Sequence, residues 1–505
     1  MKTRSILTIC VLILGLFTLS FVKNESWHSK FLVVNKDASI TYLPDEKGNI
    51  IPDFSRVGYH HGLKAIPEVK VVKTVSPVKG DAGRGIQEAI DQVSTLPIGA
   101  DGFRGAILLK KGDYGIAGTL NINTDGIVLR GEGNTAQGTR LIATGAGLRS
   151  LVAISGKGKI TPTGERVKIT DAYVPTGAKS FDVVSAKDFK AGDKIILYRP
   201  GTKNWIQDIQ MDRIVARQGT KQWEAAEYSL SYEREITAVD GNKITIDNPV
   251  VMAMETKYGG GEIFKYEYKG RLKEIGIENI LFESEYAHDT DEDHGWIAVD
   301  FNHTENGWVS GVTSRFFGYS CVSLESGAKN ITVKDSKCLD AKSVITGGKR
   351  YSFNNNGQQN LFMNLETTEG RHDYVTGAKT CGPNVFYHCK SRRTHADIGP
   401  HHRWATGTLY DNIDTDGEIN VQDRGNWGSG HGWAGVTQVL WNCKVKAAAI
   451  QSLWASGKNY AVGIQGKKVN GRLEGKPDGE WEGLNKKGLQ PQSLYEAQLK
   501  ANGRH

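Results

Sequence analysis

Three stretches decide how this chain folds: His372-Asp373-Tyr374-Val375, His395-Ala396-Asp397-Ile398 and Glu418-Ile419-Asn420-Val421. Each ends on a β-branched apolar residue, and the last two alternate polar with apolar, as a short half-buried strand does. Working outward, Cys321-Val322-Ser323-Leu324 and Lys342-Ser343-Val344-Ile345 precede them in the same register, and Ala448-Ala449-Ile450-Gln451 follows. The six starts lie 21, 30, 23, 23 and 30 residues apart. A second strand set lies between them, including Ile331-Thr332-Val333, Leu361-Phe362-Met363, Val385-Phe386-Tyr387 and Val439-Leu440-Trp441. Short strands recurring at this spacing indicate a solenoid of stacked parallel sheets. The expected class is therefore all-β, a single-stranded right-handed parallel β-helix.

The register has a chemical consequence. Leu324, Ile345, Val375, Ile398 and Val421 take the inward position of successive coils. Alternation then sends two columns outward: Cys321, Lys342, His372, His395 and Glu418, and beside them Ser323, Val344, Tyr374, Asp397 and Asn420. The expected wall carries imidazoles, an amine, a phenol and carboxylates. A one-residue slip in any coil would turn the chosen side chain inward, and Lys342 is the most exposed to that, across an irregular coil. Basic and aromatic groups converge from adjoining loops: Arg371, Arg393, His401, His402, Arg403, Trp404, Arg424, Trp427 and His431. Arginine forks match carboxylates or sulfates, and aromatic rings stack on sugars.

Upstream, Ile86-Gln87-Glu88-Ala89-Ile90-Asp91 begins a short amphipathic helix, with Ile86, Ile90 and Val93 on one face. Glycine-punctuated strands follow from Gly105 to Gly133. A capping helix followed by such strands resembles the start of the pectate-lyase-like superfamily. That resemblance implies a β-helix over most of residues 75–460. It does not choose an activity, because the superfamily holds lyases, hydrolases, epimerases and phage tailspikes. The calcium-binding aspartates and catalytic arginine of its pectate-acting members have no match here. The expected roles therefore rest on the side-chain wall.

Residues 181–255 interrupt the coils. The hairpin Ile236 to Ile246 turns at Asp240-Gly241, so this stretch reads as an inserted antiparallel region. The expected organisation is a signal peptide at 1–22, an irregular segment at 23–75, the β-helix at 76–464, and a closing segment at 465–505 over the solenoid's open end. Lys2 and Arg4 before an apolar run give the leader its secretory pattern, so an exported, periplasmic or extracellular protein is expected, with no stable membrane insertion. Five cysteines remain beyond the leader, an odd number that suits small buried fillers in stacked turns.

Composition narrows the partners. The chain has 505 residues with 60 glycines, 24% charged residues and a net charge of +7, two units of which lie in the leader. This excludes coiled-coil, collagen-like and disordered chains. No basic helix or zinc spacing points to nucleic acid, and an acidic polysaccharide is the expected partner of a monomer. The leading expectation is a polysaccharide lyase acting by β-elimination and requiring no cofactor. His395 is its preferred base and His372 the alternate, Tyr374 or a protonated His372 the acid, and Arg403, Lys342 or Arg393 neutralises the substrate carboxylate. Asp397, Glu418, Asn420 and the loop residues bind sugar. The alternatives are a glycoside hydrolase using Asp397 and Glu418, and a non-catalytic carbohydrate-binding β-helix. Asp289, Asp291 and Asp293 form an acidic loop that could hold Ca²⁺.

Overall fold

The computed structural model describes residues 26–453 and 455–504; the expected leader lies outside them. The chain winds into a β-helix whose parallel strands join into one 29-stranded assembly. Three faces are distinguishable. A site sheet runs from Leu120–Ile122 and Arg149–Ser155 through Gly295–Asn302, Ser320–Leu324, Phe353–Asn355 and Tyr374–Thr376 to Asp397–Pro400. A flank sheet runs from Val71–Val75 to Glu480–Glu482. A back sheet includes Gly112–Ile116, Thr139–Ala143 and Lys390–Arg392.

The core is a set of columns, one residue per coil. On the flank sheet Ile277, Val309, Val333, Phe362, Phe386, Tyr410 and Leu440 stack in register and are fully buried. Phe362 lies 4.7 Å from Phe386, which lies 5.4 Å from Tyr410, with nearly parallel rings. The corner leaving this sheet recurs as a left-handed residue at Asp335, Asn364, His388, Asn412 and Asn442. Asn and Asp accept this conformation at little cost, so one residue turns each coil.

The site-sheet register differs from the expected one in two places. Lys342–Ile345 forms no strand; Ile345 is 48% exposed, and Phe353–Asn355 supplies that coil's strand. The residues between form a protruding loop, which explains the long interval. The next coil is slipped by one: Tyr374, rather than Val375, continues the inward column Val322–Phe353. Ile398 and Ile419 are paired and buried downstream. The aromatic ring of Tyr374 fills the coil interior better than valine would, and its hydroxyl finds carbonyls there, donating to Lys390 at 2.5 Å and Leu365 at 3.2 Å.

The helix Gly83–Ser94 closes the N-terminal end with Ile86, Ala89, Ile90 and Val93 buried. The inserted antiparallel sheet is wider than 181–255. It starts at Thr161–Pro162, which pairs with Glu262–Glu267, while the Asp-Gly hairpin joins Leu230–Asp240 to Lys243–Ile246. Trp205, Trp223 and Ile236 of the insertion share a core with Trp404, Trp433 and Val436 of the coils. Buried charges bolt it further: Glu233 accepts both guanidinium NH2 groups of Arg271, at 2.6 and 2.7 Å, and lies 3.4 Å from Lys329. Burial pushes the Glu233 carboxyl up, but Lys329 and Arg271 outweigh it and hold the group well below its ordinary range.

The expected closing segment adds the strands Gln465–Lys468 and Glu480–Glu482 at the end of the solenoid, and its later residues cover the flank sheet. Helix Leu494–Ala501 and the N-terminal residues Trp27, Phe54 and Val57 pack over Leu361, Val385, Leu409, Val439 and Tyr460, the apolar outer column of the flank sheet. Gln498 ties the two termini together by accepting from Phe54 N and donating to the Pro52 carbonyl. Cys321, Cys338, Cys389 and Cys443 are buried free thiols; Cys381 is partly exposed and also free. Among the described residues no helix is long and apolar enough to cross a membrane.

Candidate functional site: an imidazole and guanidinium cavity

A cavity of about 510 Å³ opens on the site sheet between the protruding loop at Gly347-Gly348, the coils carrying His372 and Asp397, and the loop 424–432. Strand ends deliver His372, Asp397 and His401; the loop delivers Arg424, Trp427 and His431. This loop is compact because Arg424 N donates to Gly432 O and His431 N to Trp427 O. Glycine is required within it. A Cβ on Gly428 would sit 2.1 Å from the His431 ring, and one on Gly430 would sit 2.4 Å from the Lys221 carbonyl.

Four imidazoles form the cavity floor. His401 lies at the centre, its ring centroid 4.4 Å from His372, 5.1 Å from His402 and 5.2 Å from His431. Tyr351 packs edge-on to His372 at 5.0 Å, and its hydroxyl contacts Arg371. Burial lowers the proton affinity of every ring. His372 falls to about 4, with Asp397 opposing the shift and Arg371 and Arg424 adding to it. His402 falls to about 3 through burial and then His431, and His431 to about 4 through burial and then Arg424. His401, surrounded by the others and by Arg424, is lowered furthest. All four rings are neutral at physiological pH.

His372 is the best placed of the four as a base. Its Nδ1 lies 2.6 Å from the Asp397 backbone carbonyl, which can only accept, so Nδ1 carries the proton. Nε2 therefore carries the lone pair; it is buried in the cavity lining and has no hydrogen-bond partner among the described residues. The Asp397 carboxylate accepts from Arg424 Nη2 and lies 3.6 Å from His372 Nδ1. Burial raises its pKa, yet Arg424 and His372 more than compensate and keep it ionised. Asp397 thus orients groups and does not supply a proton.

The structure gathers eight of the singled-out residues here: Arg371, His372, Asp397, His401, His402, Arg424, Trp427 and His431. It places the others elsewhere. His395 points along the outer edge, its Nε2 donating to Glu369 at 2.8 Å, and Arg393 bridges Glu369 and Asp340. Tyr374 is inside the coil. Lys342 pairs with Asp289 at 2.8 Å, outside the cavity. Arg403 holds the loop at Ser429, with Nη2 3.0 Å from its carbonyl and 2.8 Å from its hydroxyl. Trp404 is fully buried under the insertion, edge-on to Trp205 at 4.7 Å, and offers no face to a sugar. Glu418 accepts from Asn420 at 3.2 Å, and Asn420 accepts from Ala449 N; neither lines the cavity.

The acidic loop spends its carboxylates separately. Asp289 pairs with Lys342, Asp291 accepts from Ala287 N and Asp293 N, and Asp293 accepts from Gly147 N. Among the described residues no three His, Cys, Asp or Glu side chains converge as a metal site. Tyr351 lies outside the expected wall because its coil's strand is Phe353–Asn355 and not Lys342–Ile345.

No family model matches the chain, and no curated protein matches it. Several solved structures resemble it, three of which follow. The tailspike protein gp49 from Pseudomonas phage LKA1 is 13% identical, with 80% of this chain and 74% of that chain covered and a TM-score of 0.34. The gp54 tailspike of Acinetobacter baumannii bacteriophage AP22, solved in complex with A. baumannii capsular saccharide, is 13% identical, covers 81% and 73%, and gives 0.29. A glycoside hydrolase is 10% identical, covers 84% and 98%, and gives 0.29. The class defined by the chain's own coordinates is a parallel β-helix with a neutral-imidazole and arginine cavity on one sheet.

Proposed function

We propose that the protein is an exported polysaccharide lyase that cleaves a uronate-containing chain by β-elimination in this cavity. One observation carries the reading: the unpartnered Nε2 lone pair of a neutral, buried His372 in the cavity lining, beside the guanidiniums of Arg371 and Arg424. His372 Nε2 takes the proton from the ring carbon bearing the uronate carboxylate. Arg424 and Arg371 hold that carboxylate and the enolate charge that develops on it. The electron pair then forms the ring double bond as the carbon–oxygen bond to the leaving sugar breaks. The Tyr351 hydroxyl, kept protonated chiefly by burial, donates to the leaving oxygen. The polar rim and the edge of Trp427 orient the sugar.

A hydrolytic reading has one specific observation in its favour. Asp300, upstream on the outer face of the same sheet, is pushed up to about 7, first by burial and then by Glu325. Glu325 accepts from Ser323 Oγ at 2.8 Å, and Ser323 is the coil neighbour of Asp300. In this reading Asp300 and Glu325, one coil apart, serve as the acid/base couple. It replaces the pair Asp397 and Glu418, since Asp397 is locked by Arg424.

The test is to incubate the mature protein with acidic and neutral polysaccharides and follow unsaturated-uronate absorbance together with reducing ends. Both rising supports elimination at His372. Reducing ends without absorbance would sink it and move the chemistry to Asp300 and Glu325. Binding without either signal would leave a carbohydrate-binding β-helix.

A further inference from the structure

The loop that closes the imidazole cavity has a second cavity on its other side. This cleft of about 420 Å³ lies between the insertion arm 210–215, Asn426 and the segment 472–476. The two cavities take alternate parts of one loop: Arg424, Trp427 and Gly428 line the first, and Asp423, Gly425 and Asn426 line the second. Trp427 is the ridge between them, 37% exposed. Guanidiniums approach its ring from both cavities, Arg424 at 5.6 Å and Arg472 at 4.6 Å. Arg472 is fixed there by donating to the Arg424 carbonyl at 2.7 Å and to Asn426 at 3.1 Å.

The second cleft is amphipathic. Met211, Ile214, Val215 and Leu473 make an apolar side, and Val215 is 75% exposed. Arg213, Arg472 and Lys476 bring cationic groups to the other side, beside Asp423 and Glu474; Lys476 is held by Asp423 at 2.9 Å, and Arg213, 62% exposed, pairs with Asp212 at 3.2 Å. Arg217, exposed on the same arm, lies close enough to both cavities to disfavour protons on His431 and on Arg472. A pyranose has an apolar C–H face and a polar rim, and a uronate adds one carboxylate per ring. An apolar strip edged by arginines matches that repeating pattern.

We infer that this cleft is a second sugar-binding region for the same acidic chain, which crosses Trp427 from the imidazole cavity and places uronate carboxylates against Arg472, Arg217 and Arg213. The inference rests on the acidic-polysaccharide reading of the first cavity. It adds that affinity depends on chain length, since a disaccharide fills one cavity and a hexasaccharide reaches both.

Binding, rather than turnover, tests it. The full chain carrying His372→Gln, which should slow cleavage, is titrated by calorimetry with disaccharides and hexasaccharides of polygalacturonate and of alginate, and with dextran oligomers as neutral controls. Added Arg213→Ala/Arg217→Ala should raise the Kd of the acidic hexasaccharide about tenfold while moving the disaccharide less than about twofold. Arg472→Lys, which keeps the charge but loses the fork, should act in the same direction and guards against a folding defect. Arg84→Ala, an exposed arginine on the capping helix, should change neither. The inference is overturned if the double variant leaves the hexasaccharide unaffected, if both lengths weaken equally, if dextran binds as tightly, or if no acidic oligomer binds. Length-dependent binding with no unsaturated product from the unsubstituted protein would keep the second region and discard the elimination. Elimination without length dependence would do the reverse.

Discussion

At His372 a single hydrogen bond decides the chemistry. Donation from Nδ1 to the Asp397 carbonyl fixes the tautomer that leaves Nε2 as acceptor. His372→Gln should therefore lower kcat on the identified substrate by about 10²–10⁴-fold, with unchanged circular dichroism. His395→Ala should leave activity near that of the unsubstituted enzyme, because His395 is engaged with Glu369 on the outer edge. Equal losses in the two variants would contradict this assignment. The acid limb of the rate profile should fall near the depressed value of about 4 for His372 rather than at the ordinary imidazole value of 6.5. The sequence reading prefers His395 as the base and keeps His372 as the alternate, an order that the engagement of His395 with Glu369 reverses. Nothing in the sequence showed which ring met a backbone carbonyl from the next coil.

Two elements carry the stability of the cavity, the imidazole floor and the bolted insertion. The folded state keeps His372, His402 and His431 neutral, so it binds fewer protons than the unfolded chain. Their contribution is present above pH 6.5 and is lost as pH falls through about 4 for His372. A thermal melt followed from pH 7.5 to 4 should show Tm falling across that window, with His372 alone responsible for up to about 3 kcal/mol. His372→Gln should flatten the fall; a Tm independent of pH would exclude the mechanism. In the insertion, Glu233→Ala leaves Arg271 and Lys329 buried without their shared carboxylate. The expected cost is about 3–5 kcal/mol, measured by denaturant unfolding. The hairpin was readable from its Asp-Gly turn. The width of the insertion was not, because its first strands, such as Thr161–Pro162, are two residues long and gain their partner only from Glu262–Glu267.

Across the molecule, a solenoid must protect its outer faces as well as its ends. The termini do this for the flank sheet, where Trp27 and Leu494 meet the apolar column of Leu409 and Val439. Truncation at residue 488 should expose that column and give a protein that binds hydrophobic dyes and aggregates. Retention of a monodisperse, cooperatively melting protein would show that the terminal clasp is dispensable. The sequence suggested a closing segment over the open end; its strands at 465–482 lie there, while Leu489, Leu494 and Leu499 pack on the flank sheet.

The sequence by itself determined the β-helix, its capping helix and the presence of an insertion. These follow from local patterns: recurrent short strands, an amphipathic face and a turn dipeptide. It also named most of the cavity, because His372, Asp397, His401, His402, Arg424, Trp427 and His431 are chemically conspicuous. Tertiary structure decided the register at Tyr374, the exclusion of His395 and Lys342, the entry of Tyr351, and the second cleft behind Trp427. The physical reason is common to all four. In a parallel solenoid the partners are set by loop lengths between coils, and one residue of slip exchanges the interior for the surface.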